Sequence, residues 1–132
     1  MKRIHLIIGL LVFVTFVVTG RYMRLDFPDK EAIPQDLRLL MRSRHIYILF
    51  SALLHMLLGA YLQIRPEVWR KAIQYFGSAL LVSSTVLLIW AFIAETCFLQ
   101  HFSGISRYGI VLSLAAVVFH VIGGLTGQRH EQ

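Results

Sequence analysis

Residues 46–64 read IYILFSALLHMLLGAYLQI, a run with no Asp, Glu, Lys or Arg. A hydrocarbon core about 30 Å thick is crossed by roughly 20 apolar residues wound as an α-helix, so this run has the length of one span. Three further stretches, 4–19, 72–94 and 108–125, approach or reach the same length. Backbone amides cannot be left unpaired in lipid, so each run is expected to be helical and to pack against the others. The expected fold is all-α: an integral-membrane, antiparallel four-helix bundle forming one domain over 1–132, with spans near 4–20, 45–64, 72–95 and 107–126. Composition agrees, with 57% hydrophobic residues, 15% charged and a mean hydropathy of +0.67. That balance lies outside the range of soluble domains and makes lipid the main solvent.

The boundaries carry their own signals. Met1-Lys2-Arg3 followed by an apolar run ending at Val18-Thr19-Gly20 has the outline of a secretory signal. The run is long for a signal, however, and Gly9 and Thr15 suit packing against other helices, so an uncleaved first helix is preferred. Pro34 before Gln35 and Asp36 reads as a helix start ahead of the membrane, because proline fits a first turn and an early acid suits the helix dipole. The turns that follow set Leu37, Leu40 and Met41 on one side and Arg38 and Arg42 on another, as in an interfacial helix. Arg65-Pro66-Glu67 is expected to be a tight turn into the third helix, making helices two and three a hairpin. The long connections are then 20–34 and 95–107.

A net charge of +6 and a pI near 10 would point a soluble protein toward nucleic acid. Here the bases gather at the ends of apolar runs, so the expected partner is the bilayer and not nucleic acid. With four spans, Lys2, Arg3, Arg65, Arg70, Lys71 and Arg129 share one side, and Arg21, Arg24, Lys30, Arg38, Arg42, Arg44 and Arg107 the other. Totals so close do not orient the chain. Lys2 and Arg3 ahead of the first helix favour cytoplasmic termini.

Two histidines lie inside the apolar runs with small residues one turn away on both sides: Ser51-His55-Gly59 and Ala116-His120-Gly124. His55 is placed near the middle of its run and His120 within about a turn of the same depth, so the two are expected to meet. Imidazole ligates haem iron, and a pair on facing helices would hold a haem b, with Gly59, Gly124, Ser51 and Ala116 making room for the macrocycle. A quinone or proton-relay role is open to the same pair, because an ionisable residue within a membrane points to function. Helix packing accounts for the pattern as well: small residues let helices approach, and Ser83, Ser84, Thr85 or Ser113 offer hydrogen-bond partners.

His45 follows Arg42, Ser43 and Arg44 and precedes Tyr47, on the face where Glu95, His101 and Arg107 are expected to emerge. Arg42, Arg44 and His45 together form a candidate site for an anionic headgroup, a quinone carbonyl or a haem propionate, against the alternative of an ordinary basic and aromatic belt. Glu95 ends a stripe of Gly77, Leu81, Ser84, Leu88 and Ala91 at helical spacing, so it is expected to face inward and to pair with Arg42, Arg44 or Arg107. His5 and His45 are assigned to opposite membrane faces. Cys97 stands alone, which removes an intramolecular disulfide and any CxxC redox pair. Asp26 and Asp29 have cation-binding spacing but stand among bases, the setting of solvated counter-charges. There is no GxSxG, GxxxxGK[ST] or HExxH motif, and no acid lies in the middle of an apolar run.

Arg42-Ser43-Arg44-His45-Ile46-Tyr47-Ile48-Leu49-Phe50, with Thr19-Gly20-Arg21-Tyr22-Met23 before it, resembles a pattern in small four-helix proteins of the bacterial inner membrane that have no assigned activity. The resemblance implies location and fold and transfers no site. The expected role is an accessory, assembly or structural helix-packing subunit, with a membrane-protein partner or a second copy of itself. The alternative is an electron carrier using His55 and His120 with haem b or quinone.

Overall fold

The computed structural model describes residues 1–25, 33–97 and 104–124. Four helices follow one another: α1 Lys2–Leu25, α2 Gln35–Tyr61, α3 Val68–Phe92 and α4 Ile105–Gly124, with a π-helical turn, Ile93–Cys97, on the end of α3. All four are long and apolar enough to cross a membrane, which is the pattern of a multi-pass membrane protein. Asp26, Asp29, Lys30, His101 and Arg129 lie outside the described residues.

The helix starts follow from local chemistry. Pro34 has no amide to leave unpaired, and its carbonyl accepts the first bond of α2 from the Arg38 amide at 3.0 Å. Glu67 plays that part for α3, its carbonyl 2.9 Å from the Lys71 amide, so α3 opens at Val68, two residues after the proline. Gly104 has φ +63, a conformation that side chains resist, and it swings the chain into α4. Two boundaries differ from expectation. α1 runs through Gly20 to Leu25, because that glycine packs under His45 rather than ending the helix. α2 stops at Tyr61 rather than at residue 64, where the Leu62 amide closes the last turn on the Leu58 carbonyl at 2.8 Å.

Each helix buries one stripe at alternating three- and four-residue steps. In α1 it is His5, Gly9 and Val12, and in α4 it is Ser106, Gly109, Ser113, Ala116, His120 and Gly123. The second stripe contains nothing larger than a histidine, so α4 lies close on α3. A Cβ on Gly109 would stand 2.7 Å from Leu88 Cδ2, and one on Gly123 would stand 2.7 Å from Gln74 Cγ. The same contacts give direction: Gly109 meets Leu88 and Gly123 meets Gln74, so α3 and α4 run antiparallel. Gly9 lies on Met56 and Ala52, Gly59 on Leu6 and Gly20 on His45, which sets α1 antiparallel to α2. α2 joins the two pairs by packing on α3, whereas α2 and α4 scarcely touch.

The outward surfaces are apolar. Ile7, Leu10, Leu11, Val14, Val17 and Val18 on α1 are all more than two-fifths exposed, as are Val111, Leu114, Val118 and Val121 on α4. In water such faces would drive aggregation, and against lipid tails they are the ordinary exterior.

Candidate functional site

Three histidines meet inside the protein, where sequence reasoning paired two. His5 of α1, His55 of α2 and His120 of α4 are 2%, 0% and 8% exposed, and the His5 ring centroid lies 5.1 Å from that of His55 and 6.1 Å from that of His120. His5 brings the group together. Its Nδ1 is 2.8 Å from His55 Nδ1, and its Nε2 is 3.0 Å from the Ser78 hydroxyl on α3. Ser78 Oγ is also 3.3 Å from His120 Nε2, while His55 Nε2 lies 3.0 Å from Thr85 Oγ1 and Thr85 lies 2.6 Å from Ser51. One hydrogen-bonded chain thus runs His120, Ser78, His5, His55, Thr85, Ser51 through all four helices.

Proton counting constrains that chain. Of the two Nδ1 atoms shared by His5 and His55, one donates and the other accepts. Ser78 has one hydroxyl proton and three acceptors in reach, the Gln74 carbonyl at 2.9 Å and the two Nε2 atoms. If that proton goes to His120 Nε2, neutral His120 carries its own proton on Nδ1. If it goes elsewhere, His120 donates from Nε2 and Nδ1 is a bare lone pair. The ring nitrogens of His5, His55 and His120 are therefore coupled through one serine.

His55 is not in the middle of its helix, α2. With α2 ending at Tyr61, His55 lies about six residues, or roughly 9 Å, from that end. His5 is near the start of α1 and His120 near the end of α4, so all three belong to the same end of the molecule. The sequence missed His5 because the first apolar run begins beside it, whereas α1 begins at Lys2. A signal was present in the step from His5 to Gly9, which repeats the histidine-to-glycine spacing of His55-Gly59 and His120-Gly124.

The histidines do not fit a haem in this arrangement. Iron between His55 and His120 needs both rings facing one flat gap, yet His5 is bonded to His55 and, through Ser78, to His120. The small neighbours are engaged as well. A Cβ on Gly59 would stand 2.5 Å from Leu6 Cγ, Ser51 is bonded to Thr85, and Ala116 lies under Gly77. Gly124 differs, with no atom within 4 Å of a Cβ built there. Among the described residues no group of three or more His, Cys, Asp or Glu is arranged to hold a metal ion.

Arg42, Arg44 and His45 are not brought to one site. Arg44 Nε donates to Glu95 Oε2, and the guanidinium lies 5.7 Å from the Tyr47 ring centre. Glu95 is buried at the end of its predicted stripe, and its Oε1 accepts from the Ser106 amide at 3.3 Å, a carboxylate on an α4 N-terminus. His45 turns to α1, 3.0 Å from Thr19 Oγ1 and stacked at 4.1 Å on Phe16. Arg42 is exposed and borders a groove of about 490 Å³ with Gly20, Met23, Arg24, Ile33, Arg38 and Met41. His5 and His45 lie at opposite ends, as their places in the sequence require.

Beside the histidines, α2, α3 and α4 enclose an open-sided recess of about 410 Å³. Leucines and valines form its walls, and Arg65, Gln74 and His120 its polar margin. His120 Nδ1 and Arg65 Nε are both buried and have no hydrogen-bond partner among the described residues. Compared with family models, with curated proteins and with solved structures, the chain matches none.

Proposed function

We propose that this is a multi-pass protein of the bacterial inner membrane, an antiparallel four-helix bundle with cytoplasmic termini, acting through helix contacts as an accessory or assembly subunit. The observation that carries this reading is the poor burial of α1. Only 17% of its most apolar window is covered inside the protein, against 44% for α3. Its interior side is tied down by His5, Gly9 and Val12, while Ile7, Leu11, Val14 and Val18 present a smooth apolar face free for a helix of a partner or of a second copy. The histidines support the same reading, since His5 and His55 direct their ring nitrogens to neighbouring helices. Lys2 and Arg3 support the cytoplasmic placement of the termini.

The test is photocrosslinking from positions 11 and 14 in intact cells, with gentle detergent extraction. A discrete crosslinked species is expected, weakened when Ile7 and Val18, on the same exposed face, are replaced by bulkier Trp. A protein found only as an uncrosslinked monomer would remove the proposal. The visible spectrum of the purified protein from haem-replete cells is expected to be featureless. A Soret and α-band at near-stoichiometric haem, lost in His55→Ala or His120→Ala, would replace it with electron transfer.

A further inference from the structure

We infer that the recess between α2 and α4 is a binding site for one anionic lipid, with an acyl chain along the leucine and valine walls and an anionic head oxygen on Arg65 and His120. This goes beyond the accessory reading and requires only that the helices lie in a membrane.

The polar end of the recess carries the argument. Among the described residues Arg65 forms no ion pair: its Nη2 donates to the Gly124 carbonyl at 3.3 Å and its Nε is buried without an acceptor. A guanidinium held in that way beside lipid lacks the anionic oxygen it binds best. His120, more than nine-tenths buried, has its Nδ1 without a partner among the described residues and borders the same recess. Gln74 is turned to other partners. Its Oε1 takes the Arg65 amide at 3.1 Å and its Nε2 donates to the Gln63 carbonyl at 2.9 Å, which pins the turn that holds Arg65 in place.

Shape and depth agree. Leu54, Leu58, Leu62, Val117 and Val121 make an apolar wall that continues along α2 and α4 away from Arg65, and 410 Å³ lies within the range of small-ligand sites. Tyr61, Trp69 and Tyr75 are exposed at this end, the aromatic belt that marks headgroup level, so Arg65 stands where a lipid's charge lies. Basic pockets between helices are the usual seats of anionic headgroups. Binding would also select a protonation pattern. An anionic oxygen at His120 Nδ1 requires a proton there, Ser78 then turns its hydroxyl to His120 Nε2, and His5 must donate to Ser78 from Nε2 and accept from His55 through Nδ1. The lipid thereby sets the direction of the whole imidazole chain.

Native mass spectrometry of the full-length protein tests this. The mass of the adduct retained on purification separates a phospholipid phosphate from a fatty-acid carboxylate, the two sources of the same chemistry. After delipidation, titration with phosphatidylglycerol and with oleate is compared with titration by phosphatidylcholine. One anionic molecule per chain is expected to be retained, about tenfold more strongly than phosphatidylcholine. Arg65→Gln and, independently, Leu58→Trp, which fills the wall, are each expected to lower that retention about tenfold, while Lys71→Gln on the same end leaves it unchanged. Equal retention of phosphatidylcholine, equal losses in K71Q and R65Q, a neutral quinone as the purified adduct, or a dimer whose dissociation alone exposes the recess would each overturn the inference. If R65Q does not fold, L58W decides.

Discussion

The two ends of the molecule use similar residues to opposite effect. At one end Arg44 is matched to Glu95, Glu95 also accepts from the first turn of α4, and His45 is bonded to Thr19 and stacked on Phe16. At the other end Arg65 has a carbonyl and no acid among the described residues, and three imidazoles share protons with hydroxyls in a chain that stops at an unpartnered nitrogen. The first end is a clamp joining α2, the π-helical turn and α4. In the second, Arg65 has no ion pair among the described residues, and an unfilled guanidinium N–H and an unpartnered imidazole nitrogen remain beside a recess. A membrane interior penalises unpaired polar groups, so the first end is closed on itself, whereas the second leaves the two groups on which the proposed lipid site rests.

The largest effect should come from breaking the clamp. Glu95→Ala leaves the Arg44 guanidinium without its acid and strips the α4 N-terminus of its acceptor. We expect a loss of about 3 kcal/mol in unfolding measured in bicelles. Replacing Arg44 and Glu95 together by Met should recover most of it, and no recovery would mean that the ion pair is not the clamp.

Overpacking comes next. A Cβ on Gly59 meets both the side chain of Leu6 and its backbone nitrogen, at 2.8 Å, so the helix itself must move. Gly59→Val is expected to cost about 2 kcal/mol and to loosen α1 from α2, seen as faster proteolysis within α1. This lies beside the histidine end and would show whether α1 is needed to hold His5 in the chain.

A double-mutant cycle with His5→Phe and His55→Phe should give a coupling of about 1 kcal/mol, the scale of interhelical hydrogen bonds in membranes. Perfect additivity would show that the two rings stabilise the fold independently. The smallest change is expected for Gly124→Ala, below about 0.5 kcal/mol, because nothing lies within 4 Å of the added carbon. A large effect there would place a neighbour on α4 that the described residues do not include.

The four helices long and apolar enough to cross a membrane were legible in the sequence, because length and apolarity are properties of a linear run. The inward face of Glu95 was legible for a related reason: a period of alternating three and four residues fixes which side chains share a helix face. The similar depth of His55 and His120 could be read from helix direction and rise, but not that they lie toward one end of their helices. What the sequence could not show is which neighbour takes each nitrogen. His5 enters between the other two because Gly59 lets Leu6, and α1 with it, lie against α2, and only the packed helices contain that distance. The separation of Arg42, Arg44 and His45 into three environments has the same origin: adjacent positions on a helix point around its circumference, and what each meets depends on the helices standing there. Chain chemistry thus determined the long apolar helices and their faces, while the tertiary structure decided the partners, since hydrogen bonds act over about 3 Å and runs of sequence do not encode the contacts between them at that scale.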